Sequence, residues 1–304
     1  MYLRYFGLSE KPFSIAPNPE YLFLSDRHKE ALAHLTYGLG DAGGFVLLTG
    51  EVGTGKTTVT RSMLAQLPET TQVAFILNPA LSEIELLASI CDELKIDYPA
   101  EQASLKVLTD LIKARLLENH ALGGHTMLII DEAQHLAAEV LEQLRLLTNL
   151  ETDHKKLLQI VLVGQPELQH LLQRNELRQL AQRITARYHL LPLTQSQVYA
   201  YIQHRLQKAG SQTMIFDHDA IAYMHKVTAG IPRLLNLLAD RCLLGAYSAQ
   251  QQVVDKKIAM QAAKEALPLN LVPEKSRPVQ PKVWWLSSAA FASFALGFVL
   301  SFIF

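Results

Sequence analysis

A glycine-rich segment near the start of the chain carries the first residues that could do chemistry. Residues 50–57 read GEVGTGKT, which matches the G-x-x-x-x-G-K-T pattern of a phosphate-binding loop. An apolar run at 45–49 precedes the segment and a helix-like run at 57–67 follows it, as such a loop requires. Main-chain N–H groups and the amino end of the helix would hold the phosphate oxygens. The segment therefore predicts that the chain binds a nucleoside triphosphate.

The side chains of this loop have separate expected roles. Lys56 would reach the β- and γ-phosphates, and Thr57 would hold Mg²⁺ through its hydroxyl. The other expected nucleotide contacts lie in the same segment: Gly50, Glu51, Val52, Gly53, Thr54, Gly55 and Thr58.

An acidic pair, Asp131 and Glu132, directly follows the apolar run 126–130. Ligands bind at the carboxyl ends of parallel strands, so we expect this pair to face the phosphates. Asp131 would steady the Mg²⁺ shell, mainly through water, and Glu132 would polarise the water that attacks the γ-phosphate. The pair therefore predicts Mg²⁺-dependent hydrolysis.

Two further polar residues are candidate phosphate sensors. Gln165 follows the apolar run 158–163 and would sense the γ-phosphate from the neighbouring strand; the alternative is an ordinary turn residue before Pro166. Arg233 follows Pro232 in the first turn of a predicted helix, where a cation opposes the helix dipole. That placement suggests an anionic partner such as the nucleotide phosphates; the alternative is a surface arginine.

Arg183 and Arg187 precede or begin the last predicted strand. An arginine here could reach a γ-phosphate across a subunit interface and neutralise the charge of the transition state. We favour Arg183 slightly, but the sequence does not separate the two. Because Arg174 and Arg178 lie close by, the alternative is a solvated basic face.

The composition excludes some classes of protein and some kinds of site. The 304 residues have a net charge of −1, which is neither the basic field of a nucleic-acid binder nor the acidic excess of a disordered chain. Cys91 and Cys242 lie far apart without metal-ligand spacing, and we expect both to be reduced thiols of the core. The histidines, His28 among them, lack metal spacing too, and we expect surface or core positions for them.

Alternating apolar and helical runs predict the elements that position these side chains. We expect strands near 45–49, 73–77, 126–130, 158–163 and 187–191, and helices near 26–40, 56–67, 82–95, 104–119, 138–150 and 167–181. This alternation indicates an α/β fold, with a parallel five-stranded sheet covered by helices on both faces.

The strand signal stops near residue 191. Helices are expected to begin near Thr194, Asp217 and Pro232, and a fourth over 255–266, which together make a small all-α lid. We therefore divide the chain into a core at 1–191, a lid at 192–267, a proline-rich linker at 268–282 and a transmembrane helix at 283–304. Residues 1–25 form an aromatic, proline-punctuated lead to the core.

The evidence for the transmembrane helix is its composition. Residues 283–304 carry no charge, and as a helix they would extend for roughly 33 Å, which is enough to cross a bilayer core. Lys275, Arg277 and Lys282 precede the segment, and Trp284 and Trp285 begin it, so residues 1–282 are expected in the cytoplasm. The alternative is a buried core helix. The span would be a tail anchor or the middle of a longer protein.

Together these features resemble the AAA+ ATPases, and within them the general secretion pathway protein A (GspA/ExeA) family, cousins of pilus-biogenesis and transposition ATPases. The resembling segments are MYLRYFGLSEKPFSIAPNPEYLFLS, GEVGTGKTT, LIIDEAQ, IVLVGQPEL, LAQRITARYHL and GIPRLLNLLADRCLLGAY. The resemblance implies ATP and Mg²⁺ as ligands, a lid sensor at Arg233, an aromatic lead at the adenine pocket and a nucleotide-dependent homo-oligomer.

The resemblance also implies a place in the cell. It implies a single-pass protein of the inner membrane that works with a GspB-type partner and, indirectly, the type II secretion secretin. Contact with peptidoglycan is expected only if the chain continues past Phe304. The alternatives are a DNA-binding, transposition-type regulatory ATPase and a pilus-biogenesis ATPase of the same superfamily. The near-neutral charge and the predicted span disfavour nucleic acid as a partner.

Overall fold

The computed structural model describes residues 1–267 except 17, 39–43, 78, 100, 102 and 153–155. The predicted linker at 268–282 and the predicted transmembrane helix at 283–304 lie outside the described residues. Among the residues that are described, no helix has the length and apolar character needed to cross a membrane.

A parallel sheet of five strands forms the centre of the core, as predicted. Its strands are β1 (Gly44–Gly50), β2 (Thr71–Ile76), β3 (His125–Ile130), β4 (Gln159–Gly164) and β5 (Ile184–Leu190). They lie in the order β2-β3-β4-β1-β5. The three strands whose ends carry candidate residues, β3, β4 and β1, are therefore neighbours, and the loops that follow them meet at one edge of the sheet.

Helices cover both faces of this sheet. The α-helices are α1 (Tyr2–Tyr5), α2 (Asp26–Gly38), α3 (Lys56–Leu64), α4 (Glu83–Glu93), α5 (Leu105–Ala121), α6 (Ala138–Leu147), α7 (Pro166–Leu172), α8 (Arg178–Ala181), α9 (Gln195–Lys208), α10 (His218–Thr228), α11 (Pro232–Ser248) and α12 (Lys256–Ala266). One apolar cluster packs α2 and α3 on one face of the sheet, and a larger cluster packs α4 to α8 on the other.

The helix expected over 167–181 is broken in the structure. Arg174 is extended (φ −63°, ψ 143°) between α7 and a short 3-10 helix at Asn175–Leu177, and α8 follows. The change of chain direction at Arg174 allows Leu177 and Leu180 to be buried in the larger apolar cluster, which packs α4 to α8 on the sheet. Tertiary burial of these leucines therefore overrides the continuous helical pattern of the sequence.

Helices α9 to α12 form the lid and enclose an apolar cluster of their own. Thr194 and Gln197 form a capping box at the start of α9, at the helix start predicted near Thr194. The lead also belongs to this cluster, because Tyr2, Leu8, Phe13 and Tyr21 are buried in it. The lead was predicted as part of the core at 1–191, whereas its apolar side chains pack with the lid.

Candidate nucleotide-binding site

The loop between β1 and α3 uses glycine at two positions where another residue would be strained. Gly53 has φ 83° and Gly55 has φ 107°, which is a region that L side chains rarely adopt. A Cβ on Gly53 would lie 2.6 Å from Cβ of Arg233, and one on Gly55 would lie 2.6 Å from Nε2 of His28. The loop thus packs closely against both the lid and α2.

Lys56 begins α3 with its ammonium group turned back over the loop. Its Nζ donates to the carbonyl of Gly50 at 2.8 Å and to that of Glu51 at 3.2 Å. Burial lowers the pKa of Lys56, and the nearby charges of Glu132 and Asp131 oppose that effect. The ammonium group is therefore held by loop carbonyls beside two carboxylates.

Asp131 and Thr57 lie side by side, as a shared Mg²⁺ would require. The Thr57 hydroxyl donates to Oδ2 of Asp131 at 3.5 Å. Burial raises the pKa of Asp131, and the hydrogen bond from the Glu132 main chain opposes the rise. A carboxylate and a hydroxyl are the oxygen ligands that Mg²⁺ takes in phosphate sites, where phosphate and water complete its shell. These two side chains fit that ion.

Glu132 is held by two side-chain amides. Its backbone is left-handed (φ 52°), and its Oε2 accepts hydrogen bonds from Nε2 of Gln134 at 2.6 Å and Nε2 of Gln165 at 3.0 Å. Burial pulls the pKa of Glu132 upwards, but these hydrogen bonds and the Lys56 charge outweigh it, so the pKa is lowered. Glu132 is therefore an ionised, oriented carboxylate, in the state that a general base needs.

Gln165 is thus next to the acidic pair, and Gln134 is an additional site residue that sequence reasoning missed. Oε1 of Gln134 also accepts the main-chain N–H of Gln165 at 3.0 Å, so the two amides and Glu132 form one network. The signal available for Gln134 was its position two residues after Glu132 within the segment LIIDEAQ.

Neither candidate trans arginine lies near the loop of its own chain. The carbonyl of Arg183 accepts the N–H of Phe45, which places Arg183 at the amino end of β1, about 20 Å along the strand from the loop. Its guanidinium donates to the Arg145 carbonyl at 3.1 Å and the Thr148 hydroxyl at 2.9 Å. Arg187 is exposed and pairs in register with Leu47, midway along the strand. A role across a subunit interface stays a prediction for both arginines.

Arg233 is brought to the loop by the lid. Its main-chain N–H, free of a helical partner in the first turn of α11, donates to the Gly53 carbonyl at 3.3 Å. Its exposed side chain lines the same cavity as Lys56, Thr57 and Glu132. Arg233 therefore lies at the loop and at the cavity, and its role as a nucleotide sensor stays a prediction.

The cavity has a volume of about 610 Å³ and lies between the loop, the lead and the lid. This volume is in the range of pockets that hold small molecules and cofactors. Tyr21 and Phe23 of the lead line its wall, together with Tyr201, Arg205 and Asn236 of the lid. The aromatic lead is therefore at the wall of the cavity, where the adenine pocket was expected.

A buried polar network ties the lead to the lid beside this cavity. The Arg205 guanidinium donates to the carbonyls of Pro12 and Ser14 and to the Tyr201 hydroxyl, the last at 2.8 Å. The Tyr201 hydroxyl in turn donates to Oδ1 of Asn236 at 2.7 Å. Asn236 lies one turn after Arg233 on α11, so the network joins the lead to the helix that carries the predicted sensor.

Comparison with known proteins agrees with this geometry. Residues 40–172 match the family model described as an AAA domain. The chain is 59% identical over 263 residues to General secretion pathway protein A of Aeromonas hydrophila, an alignment that covers 86% of this chain and 48% of that protein. The chain thus spans about half the length of this curated relative.

Solved structures share the fold at low identity. Cdc6p from Pyrobaculum aerophilum aligns with a TM-score of 0.65 and 20% identity, covering 84% of this chain and 70% of that one. ORC2 of Aeropyrum pernix, in its ADPNP–ADP complexes, aligns with a TM-score of 0.63 and 19% identity, covering 86% of this chain and 73% of that one. These likenesses show the fold alone. The AAA-domain match and the 59% identity lead to one conclusion: this chain belongs to the AAA+ ATPases of the general secretion pathway protein A family.

Proposed function

We propose that this chain hydrolyses ATP with Mg²⁺ to drive the assembly or localisation of the type II secretion secretin. The observation that carries the enzymatic part is the cluster at the ends of β1 and β3. There Lys56, Thr57 and the ionised Glu132 line one cavity, and Asp131 lies directly behind Thr57, whose hydroxyl donates to it. The relative's name supports the link to secretion, since the chain shares 59% identity with General secretion pathway protein A.

The side chains at the edge of the sheet divide the chemistry between them. Loop amides and Lys56 bind the triphosphate, and Thr57 and Asp131 would hold Mg²⁺, which neutralises phosphate charge when bound. Glu132 accepts a proton from the attacking water, and Gln134 and Gln165 keep its carboxylate turned towards that water. Gln165 would also sense the γ-phosphate from the end of β4.

The lid would transmit the structural change caused by hydrolysis to the rest of the chain. In this proposal α11 rests on the phosphate loop through Arg233, and loss of the γ-phosphate changes the fit between lid and core. Arg183 or Arg187 of a neighbouring subunit completes the site in a nucleotide-dependent homo-oligomer. The change then passes from the lid at 192–267 through the linker at 268–282 to the membrane.

The membrane and partner assignments follow from the sequence and the family. Residues 283–304 would anchor the protein as a single pass in the inner membrane, with residues 1–282 in the cytoplasm. A GspB-type protein is the proposed partner there, and the secretin is reached indirectly. Contact with peptidoglycan belongs to this proposal only for a chain that continues past Phe304.

Calorimetry and phosphate release on the full chain in detergent test the enzymatic part. Wild type is expected to bind ATP with Mg²⁺ and to release phosphate. Lys56→Ala is expected to lose most binding, whereas Glu132→Gln is expected to bind ATP without turnover. Absence of binding heat in well-folded wild type would overturn the proposal, and full turnover by Glu132→Gln would remove Glu132 from its role.

A second experiment tests the anchor separately. The full chain should sediment with membranes after expression, and a variant that ends at residue 282 should be released to the soluble fraction. Equal membrane retention of the two proteins would contradict the anchor, without bearing on ATP hydrolysis.

A further inference from the structure

His28, on α2, packs against the phosphate loop and also lines the cavity beside it. It lies in the first turn of α2 and is only 3% exposed. Its Nε2 lies 3.2 Å from the Thr54 carbonyl oxygen, and its Nδ1 lies 2.6 Å from the Ser25 hydroxyl. Because a carbonyl oxygen can only accept, Nε2 must carry the proton, and Nδ1 accepts from Ser25. The two bonds therefore fix one tautomer of a neutral ring.

The bond from His28 sets the direction of a peptide group in the loop. In a trans peptide the C=O and the following N–H point in opposite directions. With the Thr54 carbonyl turned to His28, the N–H of Gly55 points away from His28. A phosphate-binding loop needs N–H groups turned to the anion, and a carbonyl turned inwards would repel the phosphate oxygens. The contact thus favours the orientation that accepts phosphate.

This peptide group needs a restraint from outside the loop. Gly55 (φ 107°) has no side chain, so rotation of the Thr54–Gly55 peptide costs little. The preceding carbonyl, on Gly53, is held by the N–H of Arg233 at 3.3 Å. Two neighbouring loop carbonyls are therefore held by donors outside the loop, one from the lid and one from α2.

The fit around His28 is close. An added Cβ on Gly55 would lie 2.6 Å from its Nε2, so the imidazole ring lies directly against the glycine backbone. Burial lowers the pKa of His28, which keeps the ring neutral and the tautomer fixed at neutral pH. A rotated Thr54–Gly55 peptide would therefore turn its N–H towards the Nε2–H of the neutral ring, and the hydrogen bond to His28 would be lost.

We propose that His28 is a positioning residue for nucleotide binding, which turns the Thr54 carbonyl away from the phosphates and so shapes the loop before ATP arrives. The proposal rests on the proposed nucleotide site. In this proposal His28 on α2 contributes to ATP affinity, whereas the hydrolytic step depends on Glu132 and on the side-chain amides that orient it.

A matched pair of substitutions in the full chain tests this role. His28→Leu keeps bulk but removes the donor, and should weaken the binding of both ATP and ADP by about five- to tenfold, the effect of one hydrogen bond. His28→Gln offers an amide N–H near the position of Nε2 and should recover most of the affinity. Ser25→Ala, which frees the tautomer, should show a smaller loss in the same direction. The control is His34→Leu, an exposed histidine on the same helix, which should bind as wild type does.

Steady-state kinetics separate positioning from a general structural effect. His28→Leu should raise KM while kcat at saturating ATP stays within about twofold of wild type, because bound phosphates restore the loop geometry. Wild-type affinity in His28→Leu, or an equal loss in His28→Gln, would overturn the proposal. Should His28→Leu fail to fold, wild-type ATP affinity in Ser25→Ala would still count against it. Failure of wild type itself to bind ATP would instead overturn the proposed function.

Discussion

The side-chain amide of Gln165 donates to the Glu132 carboxylate at 3.0 Å, and so joins the end of β4 to the end of β3. A residue expected to sense the γ-phosphate is therefore bonded to the residue expected to activate water. If the γ-phosphate were lost, the side-chain amide of Gln165 would keep its hydrogen bond to the Glu132 carboxylate but lose its expected contact with phosphate. One hydrogen bond thus joins the predicted sensor to the predicted general base.

Replacement of Gln165 by Ala should slow hydrolysis by roughly 10²-fold, because Glu132 loses one of the two amides that orient it. ATP affinity should stay within about twofold of wild type, since binding rests on the loop and Lys56. Phosphate release and calorimetry on the same preparation measure the two effects. Gln134→Ala should behave alike, and turnover near the wild-type rate in both variants would contradict the network.

Gly53→Ala should weaken ATP binding, because the new Cβ would lie 2.6 Å from Cβ of Arg233 and push the lid from the loop. Gly123→Ala is the matched control: its φ is also positive (75°), but nothing lies within 4 Å of an added Cβ. Both variants should lose about 1–2 kcal/mol of unfolding free energy from backbone strain. Only Gly53→Ala should lose nucleotide affinity. An equal loss of affinity in Gly123→Ala would show that displacement of the lid is not the cause.

Tyr201→Phe should destabilise the protein by about 1–3 kcal/mol, because a buried N–H group of Arg205 and Oδ1 of Asn236 both lose a partner. Urea unfolding monitored by circular dichroism measures the change. Tyr199→Phe, two residues away on α9 and stacked on His218 through its ring, is the control and should cost much less. Equal stabilities for the two variants would show that the network is not coupled to folding.

His28 should make the stability of the protein fall in mild acid. Burial lowers the pKa of His28 in the folded state below the ordinary value of 6.5, so the unfolded chain takes up this proton first. The contribution of the neutral His28 ring to the free energy of unfolding is present above about pH 6.5 and is lost progressively as the pH falls below that value. Urea unfolding at pH 7.5 and 5.5 should show a larger loss for wild type than for His28→Gln. Parallel losses would show that His28 does not titrate in this way.

The local patterns of the sequence predicted the sheet and the phosphate end of the site. Strand-like and helix-like runs alternate clearly along the chain. The segment at 50–57 predicts a loop whose geometry is set by residues adjacent in sequence. The acidic pair lies beside the loop because the ends of parallel strands meet at one edge of the sheet. These features need no knowledge of contacts between distant residues.

What the sequence did not reveal depends on such distant contacts. No local signal brings His28 to Thr54, and periodicity alone cannot show that Arg174 interrupts a helix so that Leu177 is buried. Likewise, the lead precedes the core in the chain, yet the Tyr2 hydroxyl donates to Asp240, 238 positions later. Packing between remote segments decided each of these outcomes.

The burial of the lead within the lid has a consequence for synthesis. The aromatic side chains of the lead leave the ribosome long before their partners on α11, since Asp240, the partner of Tyr2, is translated 238 positions later. Contacts of such long sequence separation slow folding, and unburied aromatic surface favours aggregation while it waits. Nascent chains therefore carry an unburied apolar segment until α11 has emerged, and such a segment is the kind of surface that chaperones bind.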